Sequence, residues 1–181
     1  MIYSTKELLD MGDTEYTIRM KLKNGSLFLV ERGYYKTNPG HHFRNEAFIS
    51  KKYPSAILTG ISAFSLYGLT DYIPQAFYLA TEQHSFPIRR DDIKQSYQNA
   101  SFFKVGVIYK KTNEGVIRTY DLERLLIELF RLKEKYPREI YYEVVNSFRK
   151  IKNSLDFYKL NQYLRLFSNG STLLLKIKEV I

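Results

Sequence analysis

The segment 54–82, PSAILTGISAFSLYGLTDYIPQAFYLATE, constrains the fold of this chain more than any other stretch. An apolar run leads to Thr59, which stands at the N-cap position of a short helix in which Ile61, Phe64 and Tyr67 recur at helical spacing. Gly68 supplies a C-terminal stop, Pro74 forbids continuation of the helix, and 77–81 has strand composition. The segment therefore predicts a short helix delivered onto a sheet. Ser62, Thr70 and Asp71 read here as caps and turn formers rather than as contacts to a partner.

Around that segment the sequence supports a well-packed protein. Hydrophobic residues make up 44% of its 181 residues, with 16 Tyr and 12 Phe, enough for a core and against disorder. There is no Cys, which excludes disulfides and cysteinyl zinc sites. No apolar run approaches the ~20 residues needed to cross a bilayer, and MIYSTKELLDMG lacks the blocks of a secretory signal, so a cytoplasmic protein is expected. The formal net charge is +9, compatible with a nucleic acid or an acidic partner. Its excess lies towards the C-terminus: residues 116–181 hold thirteen Lys/Arg against eight Asp/Glu, residues 1–37 only six against five.

The N-terminal part predicts two short helices and a hairpin. Thr5 caps the first helix, with Leu8, Leu9 and Met11 on its buried side and Gly12 at its end. Asp13 or Thr14 caps a second helix that runs to about Lys23, with Ile18 and Leu22 inward. The runs 27–31 and 34–37 flank a tight turn at Arg32-Gly33. This order matches the second half of a winged helix-turn-helix, with 14–23 as recognition helix. Thr14, Tyr16, Thr17, Arg19 and Lys23 then supply hydrogen-bonding and cationic groups for bases and phosphates, and Arg32, Tyr34 and Lys36 form the wing. Only four residues precede Thr5, so the first helix is missing, the domain is trimmed, or an element from elsewhere covers its core. Asn38-Pro39-Gly40 marks the domain boundary, dividing a module at 1–38 from a second domain at 39–181. His41 and His42 are the one tempting metal pair, but neighbouring carboxylates are sparse and no metal or cofactor is expected.

The second domain is expected to be α+β, with a small, largely antiparallel sheet at about 54–120 and a helical bundle at about 121–181. A helix over 44–53 carries Ala47 and Phe48 inward, 83–99 reads as a solvated loop, and strands are expected over 77–81, 101–110 and 116–120. Asp121 caps a helix with Leu122, Leu125, Leu126, Leu129 and Phe130 in one stripe, ended by Pro137, and three further helices follow. Lys150, Lys152 and Arg165 make up an auxiliary basic face of this region.

The literal residues add a resemblance. Ser62, Ala63, Tyr67, Gly68, Leu69, Thr70, Asp71 and Pro74, together with Arg32-Gly33-Tyr34-Tyr35 and Tyr120-Asp121-Leu122-Glu123-Arg124, resemble the AbiEi family. Its members are antitoxins of type IV toxin-antitoxin systems in bacterial phage defence by abortive infection, and transcriptional repressors of their own operons. The resemblance spans nearly the whole chain, although Tyr67 stands where a His is frequent. It implies an N-terminal winged helix that binds inverted repeats in operator DNA. It also implies a nucleotidyltransferase toxin as functional partner, counteracted without a stable complex. Two other classes stay open: a winged-helix transcriptional regulator with no toxin, and a nucleic-acid-processing enzyme. The sequence carries no phosphate-binding loop, dinucleotide turn, nucleophile elbow or HExxH, which favours a binding protein with no catalytic residues over the enzyme. Asp121, Glu123 and Arg124 read as a helix start rather than as a catalytic cluster.

Overall fold

The computed structural model describes residues 1–37 and 45–181. Asn38-Pro39-Gly40, His41, His42 and the start of the helix expected at Arg44 lie outside the described residues. The chain divides into two compact units, residues 1–52 with 111–117, and residues 53–110 with 118–181. Both mix helices with sheet.

The first unit runs β1 (Ile2–Ser4), α1 (Thr5–Asp10), α2 (Glu15–Lys23), β2 (Phe28–Glu31), β3 (Tyr34–Lys36) and α3 (Glu46–Lys52). Its helix starts are written locally. Ser4 and Glu7 close a capping box at α1, one residue before the cap expected at Thr5, and Thr14 and Thr17 close another at α2. The three strands pair antiparallel in the order β1-β3-β2. On one side of β3, Tyr35 joins Tyr3 and Leu22 around the buried Leu8, Ile18 and Leu27. On the other side the Tyr34 ring meets Phe48 of α3 edge-on at 5.3 Å, as strand alternation requires. Two expected core residues are not in this core: Leu9 is 44% exposed and Met11 67%. α1 has only six residues, so Leu8 alone reaches the cluster, while Met11 lies beyond the last turn as the C-cap.

The second unit contains β4 (Ile57–Leu58), α4 (Gly60–Leu66), β5 (Phe77–Glu82), β6 (Ile93–Gln98), α5 (Ala100–Phe103), β7 (Val107–Thr112), β8 (Gly115–Tyr120), α6 (Leu122–Arg131), α7 (Arg138–Lys150), α8 (Phe157–Leu164) and α9 (Gly170–Val180). The tip of the β7-β8 hairpin, 111–117, groups with the first unit. The five strands lie in the order β6-β5-β4-β8-β7. They form a mixed sheet rather than the largely antiparallel one expected, because β5 and β6 pair in parallel, as do β4 and β8. The segment expected to be a solvated loop supplies β6, whose polar sequence IKQSYQ suits a sheet edge. The strand expected from 101 begins only at Val107. Asn99 caps the short α5 instead, accepting from Ser101 N at 2.9 Å, and Gly106 turns the chain at φ +74°.

Helix α6 is the hub of this unit. Leu125, Leu126, Ile127 and Leu129 are fully buried in a core shared with Ile61 and Phe64 of α4, Val144 and Phe148 of α7, Leu160 of α8 and Ile177 of α9. The helix ends at Arg131, well before Pro137, which becomes the N-cap of α7. Within 54–82, Thr59 stands at the N-cap position of α4, as the sequence implies, but its side chain makes no cap bond, and Gly68 takes φ +65° as expected. Thr70 and Asp71 also meet a partner that the local sequence did not announce. Thr70 Oγ1 and Asp71 N donate to the Glu143 carboxylate of α7 at 2.6 and 2.7 Å. These two bonds hold the Glu143 carboxyl below its ordinary range.

Candidate nucleic-acid interface

α2 is a nine-residue helix that buries a single side chain, Ile18. Leu22 follows it one turn on and is half-buried against the same cluster. The opposite face carries Tyr16, Arg19, Met20 and Lys23 at the i, i+3, i+4, i+7 spacing of a continuous outer strip, and all four are exposed. Tyr16 is 70% exposed and Met20 43%. Arg19 has one loose partner, Glu15, at 3.6 Å. A pair this exposed contributes at most ~0.5 kcal/mol, so a phosphate readily replaces it. The Lys23 side chain has no partner among the described residues.

The threonines proposed as contacts are largely engaged. Thr14 accepts from Thr17 N at 3.1 Å as the cap, and Thr17 Oγ1 donates to Asp13 Oδ1 at 2.9 Å. Lys21 binds Asp13 at 2.6 Å, and the Lys21 and Thr17 hydrogen bonds hold the Asp13 carboxyl below its ordinary range. Within the wing, Arg32 is exposed at the turn. Gly33 O accepts from Thr5 N at 2.9 Å and from Thr5 Oγ1 at 3.2 Å, which fixes that turn to the start of α1. Tyr34 is half-buried against Phe48, and Lys36, half-buried as well, already has a partner. Tyr16, Arg19 and Lys23 therefore share one surface, Arg32 stands at the hairpin turn, and Tyr34 and Lys36 belong to the packing of the unit.

The near-neutral charge of residues 1–37 looks weak for a polyanion site until ion pairs from α3 are included. Lys51 binds Glu7 at 2.8 Å and also donates to Ile2 O, and Lys52 pairs with Glu31. Burial tends to raise the Glu7 carboxyl, but the Lys51 and Ser4 hydrogen bonds outweigh it and hold Glu7 low. With Asp13 on Lys21, three of the five acidic groups are paired inside the unit, while Asp10 and Glu15 stay exposed. Lys6, Lys23 and Arg32 are exposed without an ion pair among the described residues and set the positive side of the field. The signal for this was the Lys51-Lys52 pair in the last turn of a helix, a place that favours cations for its own sake and so does not point to Glu7 and Glu31.

The second cluster of charge is internal. Arg124 and Glu128 are both completely buried, 2.6 Å apart. Arg131 also binds Glu128, at 2.7 Å, and Gln98, at 2.8 Å. The Arg124 guanidinium lies over Phe102, Tyr120 and Phe167 at 5.4, 5.0 and 4.8 Å. Asp121 caps α6 by accepting from Arg124 N at 2.8 Å, accepts from the Tyr163 hydroxyl at 2.9 Å and pairs with Lys159 at 2.9 Å. Burial first, and then this bond to Asp121, push the Tyr163 hydroxyl up to about 12. Glu123 accepts from Asp156 N at 2.9 Å and lies 3.3 Å from Lys159. These carboxylates join α6 to α8 and to the link that precedes it.

Lys150 ends α7, Lys152 opens the following 3-10 turn and Arg165 is the C-cap of α8, all three exposed. Arg165 lines a cavity of about 460 Å³ with Asn161, Ser168 and Leu174, so the three cations sit on separate elements. Among the described residues no group of three His, Asp or Glu could hold a metal ion, and no helix is long and apolar enough to cross a membrane. Searches against protein-family models and against curated proteins return no match to this chain.

Proposed function

We propose that the chain is a DNA-binding antitoxin of the AbiEi kind. In this reading it represses its own operon through the first unit and counteracts a nucleotidyltransferase toxin without a stable complex. One observation carries the DNA-binding half: α2 exposes Tyr16, Arg19, Met20 and Lys23 on one strip while burying only Ile18. A helix placed to read a groove needs such a face, with cations for phosphates and polar or apolar groups for base edges. The order β1-α1-α2-β2-β3, two short capped helices and then a hairpin, supports the reading of a winged helix-turn-helix-like module. α3 packs on the other face of the sheet, its Phe48 against Tyr34. Lys51 and Lys52 neutralise acidic groups that would repel phosphates.

Mobility shifts on the chain's own promoter test this half. The wild type retards the fragment and Arg19→Ala/Lys23→Ala does not; retention of the shift removes α2 from the account. Loss of two phosphate contacts also lowers the slope of log affinity against log salt by about 2. The antitoxin half rests on the resemblance at 62–74 and 120–124 and is tested by co-expression with the adjacent reading frame: growth arrest is relieved, and no relief with soluble protein present contradicts it. The cavity beside Arg165 favours a second reading, a ligand-sensing regulator with no toxin partner, which predicts the same promoter shift without rescue.

A further inference from the structure

The second unit carries a basic, aromatic surface that the DNA-binding proposal leaves unused. A cavity of about 250 Å³ lies between β6 and the α6-α7 link, walled by Tyr78 and Tyr136 and flanked by Lys94 and Lys135. None of its lining residues is acidic. A second cavity of about 360 Å³ shares Tyr136 with the first and adds Lys133, Arg138, Tyr141 and Tyr142, with Glu134 as its one acid. The exposed cations lie against tyrosine rings. Lys94 is 5.3 Å from the Tyr78 centroid, Lys133 5.3 Å from Tyr141 and Arg138 5.7 Å from Tyr142. Lys133, Lys135 and Arg138 have no carboxylate partner among the described residues, and Lys94 has only the Tyr78 hydroxyl, at 3.3 Å.

We propose that these two adjoining cavities bind single-stranded RNA, with bases on the tyrosine rings and phosphates on Lys94, Lys133, Lys135 and Arg138. Cations interleaved with aromatic faces hold single strands without reading sequence, because every base has a face to stack and every linkage a charge. A duplex keeps its bases stacked inside and offers these rings nothing. A base that displaces an exposed lysine or arginine from a ring exchanges a weak contact for a larger one and releases the cation to the neighbouring phosphate. Tyr142, 47% exposed and edge-on to the buried Tyr141 at 5.4 Å, is a platform held in place from below.

Two hydroxyls argue for RNA over DNA. Thr59 is 6% exposed and lines the first cavity, and its hydroxyl makes neither a cap bond nor any other among the described residues. The Tyr136 hydroxyl also has no hydrogen-bond partner there and offers a donor and an acceptor. A ribose 2′-hydroxyl, at once donor and acceptor, satisfies such groups where deoxyribose cannot.

The test is fluorescence anisotropy with the full chain and labelled oligonucleotides of about eight residues. Wild type binds single-stranded RNA more tightly than single-stranded DNA of the same sequence. Lys94→Ala/Lys135→Ala weakens RNA binding at least about tenfold and lowers the log-log salt slope by about 1.4. Tyr142→Ala weakens it by about tenfold. These side chains are exposed, so circular dichroism is unchanged in the lysine variant. Arg19→Ala/Lys23→Ala leaves RNA affinity intact, which separates this surface from the α2 face. Absence of RNA binding, wild-type affinity in the lysine and Tyr142 variants, or equal binding of DNA overturns the proposal.

Discussion

Helices α2 and α6 have nearly the same length and are each started by a side-chain cap, Thr14 in one and Asp121 in the other, yet they have opposite fates. α6 buries every residue from Glu123 to Phe130, charged ones included, whereas α2 buries Ile18 alone. The caps do not separate them; the Leu-rich stripe of α6 and the number of elements around it do. α6 is enclosed by α4, α8 and α9, so its polar residues must find partners inside: Arg124 with Glu128 and three aromatic rings, Asp121 with Tyr163 and Lys159. α2 covers one small cluster with one side, and its other side is left to solvent or to a partner. The comparison teaches that a cap and helical spacing do not by themselves tell a solvent-facing charge from a buried, paired one.

The contrast is sharpest if α6 is damaged. Arg124→Ala leaves Glu128 buried without its closest cation and is expected to cost about 3–5 kcal/mol in urea unfolding. Arg124→Met with Glu128→Leu, which removes both charges and keeps the volume, is expected to lose much less; an equal loss would show that packing rather than charge holds this site. A neighbouring backbone position gives a smaller effect. Gly106 at φ +74° would place a Cβ 2.6 Å from Arg124 Cβ, so Gly106→Ala is expected to destabilise by about 2 kcal/mol.

Glu143 gives a smaller, pH-dependent effect. Its folded carboxyl titrates below the usual 4.5, so the stability contributed by its bonds to Thr70 and Asp71 is present above that value and is lost as pH falls through the folded value. Glu143→Gln is expected to flatten the acid side of the stability curve by well under about 1 kcal/mol, because the group is partly exposed and solvent screens it. On α2, by contrast, Arg19→Ala/Lys23→Ala is expected to shift stability by no more than about 0.5 kcal/mol. A larger shift would mean that the outer strip is structural and would erase the difference between the two helices.

Much of this contrast is legible in the sequence, and what is not has a physical reason. The Leu stripe of α6, the cap at Thr14 and the stop at Gly68 are local patterns, visible because a few adjacent residues determine them. β6 is invisible because an edge strand of IKQSYQ carries no apolar alternation and gains its structure from pairing with β5. The mixed direction of the sheet is hidden for the same reason. Glu143 is silent because its partners are 72 and 73 residues away. At the candidate interface, Tyr16, Arg19 and Lys23 follow from helical spacing, but the engagement of Thr17 with Asp13 and the packing of Tyr34 on Phe48 depend on neighbours that spacing does not specify.

Promoter binding by wild type and Arg19→Ala/Lys23→Ala, followed by anisotropy across a salt series, tests the central claim most directly. The account predicts that the wild type binds its promoter with strong salt dependence, and that the variant, equally stable, binds far more weakly, with any residual binding showing a salt slope lower by about two units. Equal affinity and slope in the two proteins would contradict it.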